Sequence, residues 1–379
     1  MPGLNPEIDP DGLLEYSVVF TDRSLNHMSK RFQQVMRDIS ATLKEVYNAR
    51  SVALVPGGGT CAMEAVARQF ATGRHAMVIR NGFFSYRWSQ IFEMGGIPAR
   101  ETVLMARRTG NGATAPFAPP PIGEVVQAIR ETRPDILFAP HVETASGMIL
   151  PDDYLAALGE AMREVGGMFV LDCIASGAVW VDMERAGVDV LISAPQKGWS
   201  GAPSAGMVML GEAARRRLGE TASTSFALDL AKWVAIMEAY EAGAHAYHAT
   251  MPTDALAALR DTMNEMREIG FDRLQDAQWE QGRRVREALK ARGVQSVAAE
   301  GFEAPGVVVS YTDDPEIRNG SKFARHGVQI AAGVPLMVEE GGDFGSFRLG
   351  LFGLDKLKDV DASLARLTPV LDEVLGPTA

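Results

Sequence analysis

Two side chains in this sequence have the chemistry to make and use a covalent imine. Lys197 lies in Ser193-Ala-Pro-Gln-Lys-Gly-Trp-Ser-Gly-Ala-Pro203, directly after the apolar run Val188-Asp-Val-Leu-Ile-Ser193, and Asp172 ends the apolar run Met168-Phe-Val-Leu-Asp172, 25 residues earlier. A lysine amine can condense with an aldehyde. A carboxylate at the opposite edge of a pyridine ring keeps the ring nitrogen protonated, so that the ring accepts electrons. The pair reads as the anchor of a pyridoxal phosphate site.

A second segment supplies what a phosphate needs. Pro56-Gly-Gly-Gly-Thr60 stands between an apolar run and the helical pattern Cys61-Ala-Met-Glu-Ala-Val-Ala. Glycines let the backbone approach an anion, and the free N–H groups of a first helical turn attract it. Thr60 is expected to cap that helix and to add a hydroxyl donor. No Gly-Lys-Ser/Thr follows, so this is not a Walker A loop, and the GxGxxG dinucleotide fingerprint is incomplete. A dinucleotide site would also place an acid about 20 residues onward, where Arg80-Asn81 stands instead.

The elements that must carry these residues alternate between short apolar runs and amphipathic stretches, the pattern of a parallel sheet covered on both faces. Strands are predicted at Ser51 to Val55, Ala76 to Arg80, Asp135 to Ala139, Met168 to Leu171, Val188 to Ile192 and Gly206 to Leu210. Helices are predicted at Ser29 to Tyr47, Thr60 to Phe70, Ile122 to Glu131 and Leu155 to Val165. The proline-dense Ala115-Pro-Phe-Ala-Pro-Pro-Pro-Ile122 is expected to be a loop. Beyond residue 250 the pattern changes to two long helical stretches, Thr253 to Ile269 and Asp272 to Ala291, and strand signals at Gly306 to Tyr311 and Phe347 to Leu351. With 379 residues, about two domains are expected. Residues 1–14 form an N-terminal extension, 15–250 a large domain and 251–379 a smaller α+β domain. Gly58, Thr144, Asp172 and Lys197 all follow carboxyl ends of predicted strands, where open α/β sheets bind ligands.

Charge and composition exclude other classes. A net charge of −11 argues against nucleic-acid and anionic-membrane partners. No apolar run reaches the roughly 20 residues of a bilayer span, and the opening residues lack the basic and apolar regions of a signal peptide; a cytoplasmic protein is expected. Two cysteines and six scattered histidines without HxxxH or CxxC spacing predict no metal.

Taken in order, these motifs resemble the class V aminotransferases of pyridoxal phosphate fold type I, nearest the alanine-glyoxylate and serine-glyoxylate branch, from about Ser29 to Gly353. The resemblance implies an α/β fold with a mainly parallel seven-stranded sheet in the large domain. It implies that Lys197 is the Schiff-base lysine, Asp172 the pyridine partner, and Gly58, Gly59, Thr60 and Gln196 the phosphate cup. In Arg80-Asn-Gly-Phe-Phe-Ser-Tyr-Arg-Trp88 the ring-stacking position falls on Phe84, where the branch commonly has Trp, with Trp88 the second candidate. His141-Val-Glu-Thr-Ala-Ser-Gly147 resembles the family's His-Gly-Glu-Ser-Ser-Thr-Gly and places Thr144 near the cofactor's phenolic oxygen. Tyr247-His-Ala-Thr250 resembles a motif whose Tyr and Thr reach the phosphate of the neighbouring subunit, which implies a homodimer with shared sites. Ser346-Phe-Arg-Leu-Gly-Leu-Phe-Gly353 resembles Phe-Arg-Ile-Gly-Leu-Met-Gly, so Arg348 would hold the substrate α-carboxylate through its planar fork.

The implied reaction moves an amino group from an amino acid to a small 2-oxo acid such as glyoxylate or pyruvate, with Lys197 as the proton-moving base and ping-pong kinetics. The family's opening Gly-Pro-Gly-Pro segment is not found before Phe20-Thr-Asp-Arg-Ser-Leu-Asn-His-Met-Ser29, which leaves the substrate side chain unread. Where the phosphoserine aminotransferase branch shows His-Arg-Ser, this chain has His27-Met28-Ser29. A phosphoserine aminotransferase-like enzyme and a pyridoxal phosphate lyase are the alternatives. A cysteine desulfurase would need a cysteine in the C-terminal half, and Cys61 and Cys173 lie elsewhere.

Overall fold

The computed structural model describes residues 6–377. Residues 1–5 of the expected extension 1–14, and 378–379 at the end of the expected C-terminal domain, lie outside the described residues. Seven strands form the main sheet: β1 (Ser51–Pro56), β2 (His75–Arg80), β3 (Arg100–Met105), β4 (Ile136–Pro140), β5 (Met168–Asp172), β6 (Val190–Ser193) and β7 (Ala205–Leu210). Their spatial order is β1-β7-β6-β5-β4-β2-β3. Neighbours from β6 to β3 run parallel, and β7 is antiparallel to both β6 and β1.

Residues on a strand point alternately to opposite faces. All residues of β4, β5, β6 and β7 are nevertheless buried, so helices cover both sides of the sheet. Each of the six strands read from the sequence is present within two residues at either end. The seventh, β3, is the edge strand: Arg100 and Glu101 are exposed and the rest only half-buried, so it lacks the continuous apolar run that marks the central strands. The proline-rich segment is a loop apart from Phe117–Ala118, which pairs with Arg107–Arg108.

Helix α1 (Lys30–Tyr47) shows why the amphipathic stretches fold as they do. Ser29 accepts a hydrogen bond from the Phe32 amide, Asn48 closes the helix in the left-handed region, and Phe32, Val35, Met36, Ile39 and Leu43 form the buried stripe. Helix α2 (Gly59–Phe70) starts a residue earlier than expected. The Cys61 and Ala62 amides both reach the Gly58 carbonyl, at 3.0 and 3.2 Å, so Gly58 is the N-cap and Thr60 is already inside the first turn. The expected Thr60 cap is therefore corrected. Helices α3 (Phe83–Gly95), α4 (Ile122–Thr132) and α5 (Asp152–Val165) complete the alternation. Helix α6 (Leu230–Glu241) was not legible in the sequence, because its residues are apolar on most sides and no single stripe stands out.

After residue 250, α7 (Thr253–Ile269) and α8 (Phe271–Lys290) stand where the spacing predicted them. Leu256, Leu259, Met263 and Met266 of α7 belong to the same core as the large sheet. Val285 and Leu289 of α8 instead join Val308, Phe347 and Leu349 in a separate core. There β10 (Ser346–Gly350) is the middle strand of a three-stranded sheet, flanked by β8 (Val307–Tyr311) and β9 (Ala331–Ala332). Helix α9 (Val360–Leu375) closes the described chain.

Helix α3 is fixed to the sheet by aromatic packing. Trp88 and Phe92 lie 4.4 and 5.2 Å, ring centre to ring centre, from Phe138 on β4. Phe138→Ala is expected to cost about 3–5 kcal/mol of folding stability, read as a lower midpoint in urea denaturation.

Candidate active site

Lys197 sits on the loop between β6 and β7, and that loop is fastened along its length. The Trp199 indole is fully buried, stacks 4.8 Å from Trp180 and donates to the Tyr47 hydroxyl at 3.3 Å. A Cβ at position 198 would meet the Gly177 carbonyl oxygen, so only glycine fits there. Ser200, in the left-handed region, accepts a hydrogen bond from the Leu354 amide at 3.0 Å and so ties the loop to the short helix Leu354–Lys358 that follows β10. The Lys197 ammonium lies 5.2 Å from the Phe352 ring centre. Burial, helped by the positive charge of Arg348, lowers its pKa.

Asp172 closes β5 with 8% of its surface exposed. One carboxylate oxygen accepts from the Ile174 amide at 2.9 Å. Burial pushes its pKa from the usual 3.8 to about 7; the Ile174 bond opposes this, the Glu143 charge adds to it, and the Arg87 charge opposes it. No salt bridge to Asp172 occurs among the described residues. The backbone beside it is also held: the His141 amide donates to the Asp172 carbonyl at 2.8 Å, and the His141 ring pairs with the Ser176 hydroxyl at 2.7 Å.

The first turn of α2 has the form of an anion cradle. The amides of Gly58, Gly59 and Thr60 make none of the backbone hydrogen bonds found among the described residues. A Cβ at Gly59 would strike Ile174, the residue whose amide holds Asp172, whereas open space surrounds Gly58. The Thr60 hydroxyl accepts from the Arg87 guanidinium at 3.1 Å. Gln196 is exposed on the Lys197 loop and Thr144 is buried after β4.

Helix α3 presents Phe84 to the same region. The Arg87 and Arg348 guanidinium carbons lie 5.1 and 5.6 Å from the Phe84 ring centre. Glu143, fully buried, secures the start of α3: it accepts from the Phe84 amide at 3.2 Å, the Ser85 amide at 2.8 Å and the Ser85 hydroxyl at 2.7 Å. Arg348 extends from β10 and donates through Nε to the Ala332 carbonyl at 2.9 Å. Trp88, the second stacking candidate, is instead a core residue with no exposed surface.

Lys197, Asp172, Phe84 and Arg348 are thus joined by contact or by mutual field, with Thr60 linked through Arg87. Tyr247 and Thr250 are not in that group. Both are exposed; their hydroxyls lie 3.3 Å apart and the Tyr247 ring packs 5.5 Å from His27. Arg87, Glu143 and Phe352 stand inside motifs read from the sequence, but no role was assigned to them there. For Arg87 the available signal was its place one helical turn after Phe84.

These groups fit pyridoxal phosphate. Unpaired helix-start amides suit the phosphate, a buried carboxylate without a cation suits a protonated ring nitrogen, and a lysine of lowered pKa suits the aldehyde. The comparisons with known proteins point the same way. The family model for Aminotransferase class-V matches residues 13–333. Alanine–glyoxylate aminotransferase of Rattus norvegicus is 26% identical over 256 residues, 66% of this chain, and that stretch spans 58% of the rat protein. The soluble hydrogenase small subunit of Synechococcus sp. is 25% identical, over 92% of this chain and 88% of its own. The solved structure of a subgroup IV aspartate aminotransferase from Thermus thermophilus has a TM-score of 0.76 at 25% identity, covering 93% of this chain and 94% of that one. The family, fold type I and the pyridoxal phosphate cofactor expected from the sequence are borne out.

Two outcomes follow from the electrostatics. The unfolded chain ionises Asp172 near the usual 3.8, whereas the folded chain keeps its proton up to about 7. Between these values the folded state holds the extra proton, so stability falls as pH rises through the window, and the deficit is complete above it. In protein stripped of cofactor, Asp172→Asn should therefore raise urea stability by roughly 2–4 kcal/mol near pH 8, with the gain vanishing toward pH 4. Arg348→Gln should raise the Lys197 pKa, because a neighbouring positive charge is removed; the pH profile of Lys197 labelling by an aldehyde probe is expected to move to higher pH.

Proposed function

The chain belongs to the aminotransferase class-V family, and we propose that it is an aminotransferase that carries an amino group from an amino acid to a small 2-oxo acid such as glyoxylate or pyruvate. The observation that supports this most is the convergence of Arg348 and Arg87 on one aromatic ring, Phe84, with Lys197 close enough to Arg348 that this charge helps burial lower its pKa. The name of the rat relative favours glyoxylate as the acceptor.

In this reading, the cofactor when bound supplies an aldehyde and an electron-accepting ring. The chain supplies everything else. Gly58, Gly59, Thr60 and Gln196 would hold the phosphate, and Phe84 and Thr144 would contact the rest of the cofactor. Asp172 would give a cationic ring nitrogen its counter-charge. Arg348 takes the α-carboxylate through its free terminal nitrogens and fixes the α-carbon within reach of Lys197. The Lys197 amine, of lowered pKa, would accept the α-proton at Nζ and give it up again, and the second half-reaction would use the same group in reverse.

The same proposal includes a homodimer. Tyr247 and Thr250, exposed and paired with each other, would complete the phosphate cup of the neighbouring subunit. It also includes a cytoplasmic location and the division into 15–250 and 251–379, with α7 bracing the larger unit and α8 the smaller.

Lys197→Ala should abolish turnover, and borohydride reduction of the wild-type enzyme followed by peptide mapping should tag Lys197 alone. Amino donor given without an acceptor should convert the bound cofactor to its amine form stoichiometrically, and glyoxylate or pyruvate should restore it. Tagging at another lysine, or no conversion by any of alanine, serine, aspartate or phosphoserine, would defeat the proposal.

A further inference from the structure

Arg87 is a cation whose charge Asp172 feels only at a distance, in a place where a cation is chemically useful. It forms no salt bridge among the described residues; its one side-chain hydrogen bond there runs from Nη1 to the Thr60 hydroxyl. Its guanidinium lies 5.1 Å from the Phe84 ring centre. Thr60 lies in the first turn of α2, beside the unpaired amides of Gly58 and Gly59. No other side-chain cation is hydrogen-bonded to that turn among the described residues. Backbone amides and a hydroxyl bring partial charge only, whereas a phosphate monoester carries nearly two negative charges near neutrality.

We propose that Arg87 is the phosphate-binding cation of this site, held over the cradle by Thr60 below and the Phe84 face beside it. This rests on the pyridoxal phosphate reading above and deepens it. The planar guanidinium donates up to two parallel hydrogen bonds to a phosphate, and the Thr60 contact sets its plane before the ligand arrives. Arg348 lies near the same ring, its guanidinium carbon 5.6 Å from the Phe84 centre, so the phosphate cation and the substrate cation share one aromatic neighbour.

The test compares pyridoxal 5'-phosphate with pyridoxal, which lacks the phosphate and can still condense with Lys197. Dissociation constants for both would be measured by absorbance titration of stripped wild-type protein, Arg87→Met and Arg87→Lys, with circular dichroism and thermal midpoints checking that each variant folds. Arg87→Met is expected to weaken the phosphorylated ligand roughly thirty-fold, the equivalent of about 2 kcal/mol, while pyridoxal affinity stays within about twofold. Arg87→Lys should recover part of the loss. Equal weakening of both ligands would mean that Arg87 only shapes α3 and Phe84, and would overturn the assignment, as would unchanged affinity for the phosphorylated form. Failure of the wild-type protein to bind either ligand at Lys197 would overturn the parent reading and this assignment together, and is distinguished by appearing before any substitution is made.

Discussion

A carboxylate buried at the end of a strand governs how this site is built. Asp172 has a single backbone donor, from Ile174, and the nearby Glu143 charge is of the same sign. Desolvation of an unpaired anion is among the most expensive arrangements a fold can hold. The chain tolerates it because every neighbouring element is independently secured: β5 is buried along its full length, His141 is clamped between the Asp172 carbonyl and Ser176, and α3 is fixed by Glu143 at its start and by Trp88 and Phe92 on Phe138. The cost is one that a cation placed against this carboxylate would relieve, which is the role the proposed function gives it.

Sheet topology explains how residues far apart in sequence share this environment. Gly58, Thr144 and Asp172 leave the carboxyl ends of β1, β4 and β5, and Lys197 follows β6. The antiparallel β7 starts at the same end of the sheet, where Ala205 pairs with Pro56, so the loop between β6 and β7 stays beside the glycine turn after β1. A parallel seventh strand would have needed a crossover and carried the lysine loop elsewhere. Arg348 arrives from a different core altogether, on the central strand of the small sheet, and reaches the Phe84 ring across the boundary between the two.

What the sequence disclosed follows from where each signal is stored. Lys197, Asp172 and the glycine run were legible because strand ends, apolar runs and turn residues are local patterns. Edge strand β3 was not, since half its side chains face water and erase the pattern. Helix α6 was hidden for the opposite reason, being apolar on nearly every side. Thr60 was placed correctly near the helix start but one turn position out, a difference decided by which carbonyl two amides chose. Arg87 and Glu143 lie in plain view in the sequence, yet their importance comes from contacts that no spacing encodes: Glu143 meets Ser85 across 58 residues, and Arg87 meets Thr60 across 27. Tyr247 and Thr250 stand exposed and paired with each other, a placement that their motif alone does not encode.

The fastening of the Lys197 loop has a mechanical consequence. With the Trp199 indole wedged under it, glycine 198 pressed on the Gly177 carbonyl and Ser200 stitched to Leu354, the only compliant part of position 197 is its own four-carbon stem. The residue is a short lever on a fixed pivot. The reach of its amine is set by that stem, which leaves it beside the Phe352 ring.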